Sequence, residues 1–145
     1  TYTSSFSCLV MLLLDLGETP DLIQVFQPRN LCPKTLRDTA ENHWRELKML
    51  QVNTGTEAEA LKHISQLVEQ NGSIIIESHP ALYGIVVDAV NLDNKTIQIR
   101  DAYHGVSITL KAEGLLDKLN TGSADAPYQF RAFTLSNAPT LDLEV

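Results

Sequence analysis

Apolar residues in the first half of the chain recur at helical spacing, and those in the second half at strand spacing. Ser4 and Ser5 can each cap a helix whose apolar run, Leu9 to Leu14, continues to Leu16, with Gly17 as a natural stop. The apolar residues of this segment fall on every helical face, which predicts burial on most sides. Glu18-Thr19-Pro20-Asp21 restarts the chain as a second helix with Leu22, Ile23, Val25 and Phe26 turned inward. Pro28 and Pro33 bracket an irregular connection through Cys32. Leu36, Ala40, Trp44 (or His43) and Leu47 then share one face of an amphipathic helix over Thr35 to Met49, with Trp44 as a core or rim anchor. Thr56-Glu57-Ala58-Glu59 opens a further helix in the manner of a capping box, with both acids in solvent. Ala60, Leu61, Ile64, Leu67 and Val68 form its apolar face, and Asn71-Gly72 ends it.

The period then changes. Ser73 to Glu77 is a β-branched run, and Tyr83 to Val90 and Thr96 to Asp101 are two strands flanking the hairpin-like turn Asn91-Leu92-Asp93-Asn94-Lys95. Asp88 reads as an exposed strand residue. Val106-Ser107-Ile108-Thr109-Leu110 alternates strictly, which predicts a half-buried strand. A short helix over Glu113 to Leu119 and a final strand over Gln129 to Leu135 complete the pattern, with a loosely held tail from Ser136. Helices first and an antiparallel sheet afterwards define an α+β chain with segregated layers.

A chain of 145 residues can bury one core without disulfide or metal staples, so residues 1–145 read as a single domain. The start at Thr1, without methionine, reads as part of a larger protein. A formal net charge of -7 excludes a nucleic-acid binder, which needs a basic face to displace counterions. The apolar stretch Cys8 to Leu14 is far shorter than the about 20 residues of a membrane span. Asp15 and Gly17 close it, and no basic segment precedes it as in a signal peptide. Cys8 and Cys32 could form one disulfide or none, and both read as structural. His43, His63, His79 and His104 are scattered without metal-ligand spacing, and nothing in the chain calls for a cofactor.

The ordered set of motifs from Ser4 to about Leu119 resembles the papain-like peptidase domains that cleave leader peptides in bacterial ABC exporters. Cys8-Leu9-Val10-Met11 and Gly17 match the register of that family's first helix, Gly72 to Ile76 its next strand, Tyr83 to Val90 its histidine strand, and Asp101 to Gly105 its Asp-Pro-x-x-Gly, with Ala102 in place of proline. The resemblance implies a papain-like fold with N-terminal helices packed on an antiparallel sheet. It also implies thiol chemistry on polypeptide amide bonds, by peptidase or glutamine deamidase action, with no metal or organic cofactor. It puts Ser4 at the nucleophile position, Ser5 at the following glycine, Tyr83 at the histidine and Asp101 at the acid that orients the base. An oxyanion-hole glutamine would precede the nucleophile, but only three residues precede Ser4.

Two departures change the chemistry. A serine hydroxyl ionises far less readily than a thiol, and a phenol with a pKa of about 10 is no base near neutral pH. His79, just before Pro80, is the candidate replacement base. Cys8 is an alternative nucleophile, and His104 is a second histidine near Asp101. The readings that follow are a hydrolase domain with serine at the nucleophile position, a catalytically dead relative that binds a polypeptide, and a bacterial toxin or effector domain of the same fold.

Overall fold

The computed structural model describes residues 2–26, 33–78, 83–101, 105–119 and 128–136. The connection through Cys32, the candidate bases His79 and His104, and the tail beyond Ser136 lie outside them.

Helix α1 spans Tyr2–Asp15. Gly17, at φ +83°, lets the Glu18 N–H reach back to the Leu13 carbonyl at 2.9 Å, the closure that a left-handed glycine permits. Phe6, Cys8, Leu9 and Leu13 are at most 1% exposed, as the all-round apolar pattern predicts.

The second helix is shorter than its sequence suggests. α2 is the single turn Leu22–Val25, capped by Asp21, whose carboxylate accepts from the N–H groups of Ile23 and Gln24. One turn cannot face four apolar residues inward. Val25 is buried, whereas Leu22 and Ile23 are 51% and 83% exposed.

The helix expected over Thr35 to Met49 is two elements. α3 covers Pro33–Glu41, and strand β1 covers Leu47–Thr54. Between them Trp44 adopts φ +59°, while the Arg45 N–H returns to the Ala40 carbonyl at 3.1 Å and the Trp44 N–H to Glu41 at 2.9 Å. This is the glycine-type helix closure, built on a tryptophan. What holds it is Arg45, itself buried and bonded through Nη2 to Glu18 at 3.1 Å. Trp44 is consequently 60% exposed and anchors no core.

α4, Glu57–Asn71, begins as predicted: Thr56 Oγ1 accepts from the Glu59 N–H at 3.2 Å. Thr56→Ala is expected to cost about 1 kcal/mol, the usual value of such a cap, measured as a shift in the urea midpoint at unchanged slope. An undiminished midpoint would mean that water replaces the cap fully.

The remaining elements are β2 (Ile74–Ser78), β3 (Gly84–Asn91), β4 (Thr96–Asp101), β5 (Ser107–Lys111), α5 (Ala112–Leu119) and β6 (Tyr128–Leu135). The strands form one antiparallel sheet in the order β1-β6-β2-β3-β4-β5. α1 and α3 pack on one face through Ile75, Val86, Phe133 and Leu135. α4 and α5 pack on the other through Ile74, Ile76, Ile85, Val87 and Phe130. Strand period 2 accounts for this division, because alternate residues of β2 and β3 enter opposite cores. The α+β reading holds, with the sheet between two helical layers.

Two strand expectations are corrected. All five residues of β5 are exposed, including Ile108 and Leu110, because this strand forms a sheet edge. Asp88 sits at a register shift between Val87 and Ala89 and is not a free surface acid. Its carboxylate accepts from Ser73 Oγ at 2.6 Å and from Arg100 Nε and Nη2, each at 2.9 Å. Arg100 also reaches Asp15, so the irregular point in β3 ties the end of α1 to the sheet.

Candidate functional site

α1 delivers its first turn to the end of the sheet where β3 begins and β4 ends. Ser4 is 7% exposed, and its Oγ accepts the Gly84 N–H at 2.9 Å. The register pairs Asp101 with Ile85, one residue along from Gly84. Ser4, the start of β3 and Asp101 are thereby gathered at one end of the sheet. His79 and His104 fall outside the described residues.

Tyr83 and Gly84 divide the two faces between them. Tyr83 packs against the α4 core, and its main chain closes the β2–β3 connection: its N–H donates to Ser78 Oγ at 3.2 Å and its carbonyl accepts from the Ser78 N–H at 2.9 Å. The residue turned toward α1 is Gly84. A Cβ placed there would lie 2.9 Å from Ser5 Oγ, 3.1 Å from Ser5 Cα and 3.2 Å from Ser5 N. The first turn of α1 therefore rests on bare backbone, with no space for a side chain between helix and strand.

Beneath this contact lies a charged pair to which the sequence reading assigned no role. Arg131 of β6, Glu77 of β2 and Gly84 of β3 are cross-strand neighbours in one transverse row. Glu77 is 1% exposed, accepts the Ser5 hydroxyl proton on Oε2, and has Arg131 Nη2 at 2.5 Å from Oε1. The Arg131 contact is a buried ion pair. The signal was available in part: Glu77 closes the run Ile74-Ile75-Ile76, and an acid continuing a fully apolar run needs a buried partner.

Cys8 lies one turn deeper in α1 and is a free, fully buried thiol. Burial pushes its pKa up to about 12; Arg100 opposes this, while Asp101 and Glu77 reinforce it. A thiol held neutral in this way packs as a small hydrophobe and is no nucleophile near neutral pH.

A separate polar cluster joins Glu18 to Arg45 and to His43 Nδ1, the latter at 3.2 Å. The Arg45 hydrogen bond, and then that of His43, hold the Glu18 carboxyl below its usual range. This cluster braces the α1–α3 connections. Among the described residues, no group of three or more His, Cys, Asp or Glu is placed to hold a metal ion, and no helix is long and apolar enough to cross a membrane.

No family model and no curated protein matches the sequence. Solved structures do match in three dimensions. The N-terminal peptidase C39-like domain of the toxin secretion ATP-binding protein from Vibrio parahaemolyticus aligns over 90% of this chain and 94% of its own, with a TM-score of 0.62 at 16% identity. A double-glycine-motif protease from an AMS/PCAT transporter, solved in complex with its leader peptide, aligns over 92% of this chain and 85% of its own, with a TM-score of 0.58 at 15% identity. Agreement over nearly whole chains at such low identity means that the layer order and strand topology are shared, whereas the site residues must be judged from this chain alone. The chain has the papain-like fold of the peptidase C39-like domains.

Proposed function

We propose that this domain binds a polypeptide through the Ser4 end of the sheet and has lost the hydrolytic chemistry associated with its fold. The observation that carries the reading is the contact of Gly84 with the first turn of α1. Acyl transfer needs a base within hydrogen-bond reach of the nucleophile. The strand residue facing α1 has no side chain, and its surroundings admit none. The Ser4 hydroxyl oxygen accepts a backbone N–H, which draws electron density away from the atom that would attack. Cys8 offers no substitute, since its thiol is buried and neutral. The polypeptide partner is suggested by the fold relative bound to a leader peptide.

The test uses a fluorescent peptide carrying two consecutive glycines followed by several further residues, titrated by anisotropy against the protein and followed by mass spectrometry. Saturable binding of a peptide that stays intact is the expected outcome. Its cleavage by the wild-type chain returns the domain to the hydrolases, and no binding removes the polypeptide role. A Ser4→Cys, Cys32→Ser variant supplies the chemical control. Its alkylation by iodoacetamide should follow an ordinary thiol, with a pKa of about 8.5, or be slower because position 4 is buried. Fast alkylation well below that pH, lost on Asp101→Ala, would reveal a working thiolate site.

A further inference from the structure

We infer that Glu77 is a positioning residue, which sets the rotation of α1 and thereby selects the hydroxyl presented to Gly84. The helix carries three serines in its first two turns, Ser4, Ser5 and Ser7. Its apolar residues give only a loose preference among them, because Phe6, Cys8, Leu9, Val10, Leu12 and Leu13 are buried over more than half its circumference and the apolar Met11 and Leu14 occupy much of the rest. A helix with apolar residues over so much of its surface can turn by a fraction of the about 100° step between residues and still bury apolar side chains. Hydrophobic packing holds such a helix down without fixing its angle.

A buried polar contact does fix it, because a misplaced partner leaves a charge or hydroxyl unpaired. The transverse row supplies that contact. The Ser5 hydroxyl donates to Glu77 Oε2, Arg131 pairs with Oε1, and Gly84 brings the β3 backbone against Ser5. With Ser5 so held, Ser4 is left to accept the Gly84 N–H. Stability alone does not explain the row, since apolar residues of similar volume commonly replace a buried ion pair without loss. This inference deepens the proposed reading of the Ser4 site. Its test reads helix register and not peptide binding, so either can fail without the other.

The decisive variant makes the row apolar: Ser5→Ala with Glu77→Leu and Arg131→Met. It should stay folded, with its thermal midpoint undiminished. The Gly84 amide, having lost a fixed acceptor, should exchange with deuterium about fivefold faster or more, the equivalent of one hydrogen bond. The Ile97 and Ile99 amides of β4 should be unchanged. Intact protection at Gly84 in the folded variant overturns the inference, and so does acceleration spread equally over Ile97 and Ile99. Should the triple variant fail to fold, Ser5→Ala alone decides: faster exchange confined to Gly84 supports the assignment, and unchanged exchange rejects it.

Discussion

Glu77→Ala is expected to destabilise the protein by about 3–5 kcal/mol, the range for removing one member of a buried ion pair. The lost pairing with the Ser5 hydroxyl is a minor part of this. Most of the cost comes from Arg131, whose side chain is 13% exposed and would keep its charge with no carboxylate beside it. Ser5, fully buried, would in addition lose the acceptor for its proton. Two-state urea unfolding at neutral pH is the measurement, with Arg131→Met added in the same background. Removing the second charge should recover a large part of the loss. A loss under about 1 kcal/mol for the single variant would mean that the guanidinium reaches solvent and that the pair behaves as a surface contact.

Gly84→Val should cost about 1–3 kcal/mol, the range for overpacking a filled site, although valine is among the better strand formers. The sign is informative. At an unobstructed strand position the β-branched side chain would be neutral or stabilising. Here the first added carbon already meets the Ser5 hydroxyl at 2.9 Å and the backbone of α1 at 3.1 and 3.2 Å. The hydroxyl cannot swing aside freely, because Glu77 holds it. Either the helix lifts or β3 shifts, and in both cases the Ser4–Gly84 hydrogen bond is broken. Gly84→Ala is the milder probe and should move stability in the same direction by a smaller amount. A neutral Gly84→Val would show that the helix start yields easily, and the argument against a base at this position would fall with it.

These two substitutions bear on the function as well as on stability. The papain-like layout brings a helix start, a strand start and the end of the next strand together, and this chain retains that convergence. What fills the centre is an amide N–H, a buried hydroxyl and a structural ion pair. Among the described residues, a surface of this kind holds a shape and presents hydrogen-bonding groups.

Much of the architecture could be read from the sequence because local chemistry dictated it. Gly17 and Thr56 mark a helix stop and a helix start that need no tertiary contact to be recognised. The runs that became β2, β3, β4 and β6 each contain a β-branched or alternating stretch. β1 was hidden for a physical reason. Leu36, Ala40, Trp44 and Leu47 keep helical spacing, and the chain turns out of the helix at a tryptophan in a conformation that glycine usually takes. The burial of Arg45 and its bond to Glu18, both tertiary, support that turn. The exposure of β5 was equally invisible, because alternation reports which residues could face a core and not whether the strand lies at an edge.

The same division runs through the site. By itself, the sequence determined the order of the elements other than β1, the motifs that carry the papain-like resemblance, and the serine at the head of α1. Tertiary structure alone decided that Gly84 bonds Ser4 while Tyr83 packs against the α4 core, and that Glu77 and Arg131 form a pair beneath them. Strand period 2 turns neighbouring residues to opposite faces, so a difference of one position exchanges a phenol for a bare backbone. The Glu77–Arg131 pairing joins residues more than fifty positions apart, and only the sheet register brings them side by side.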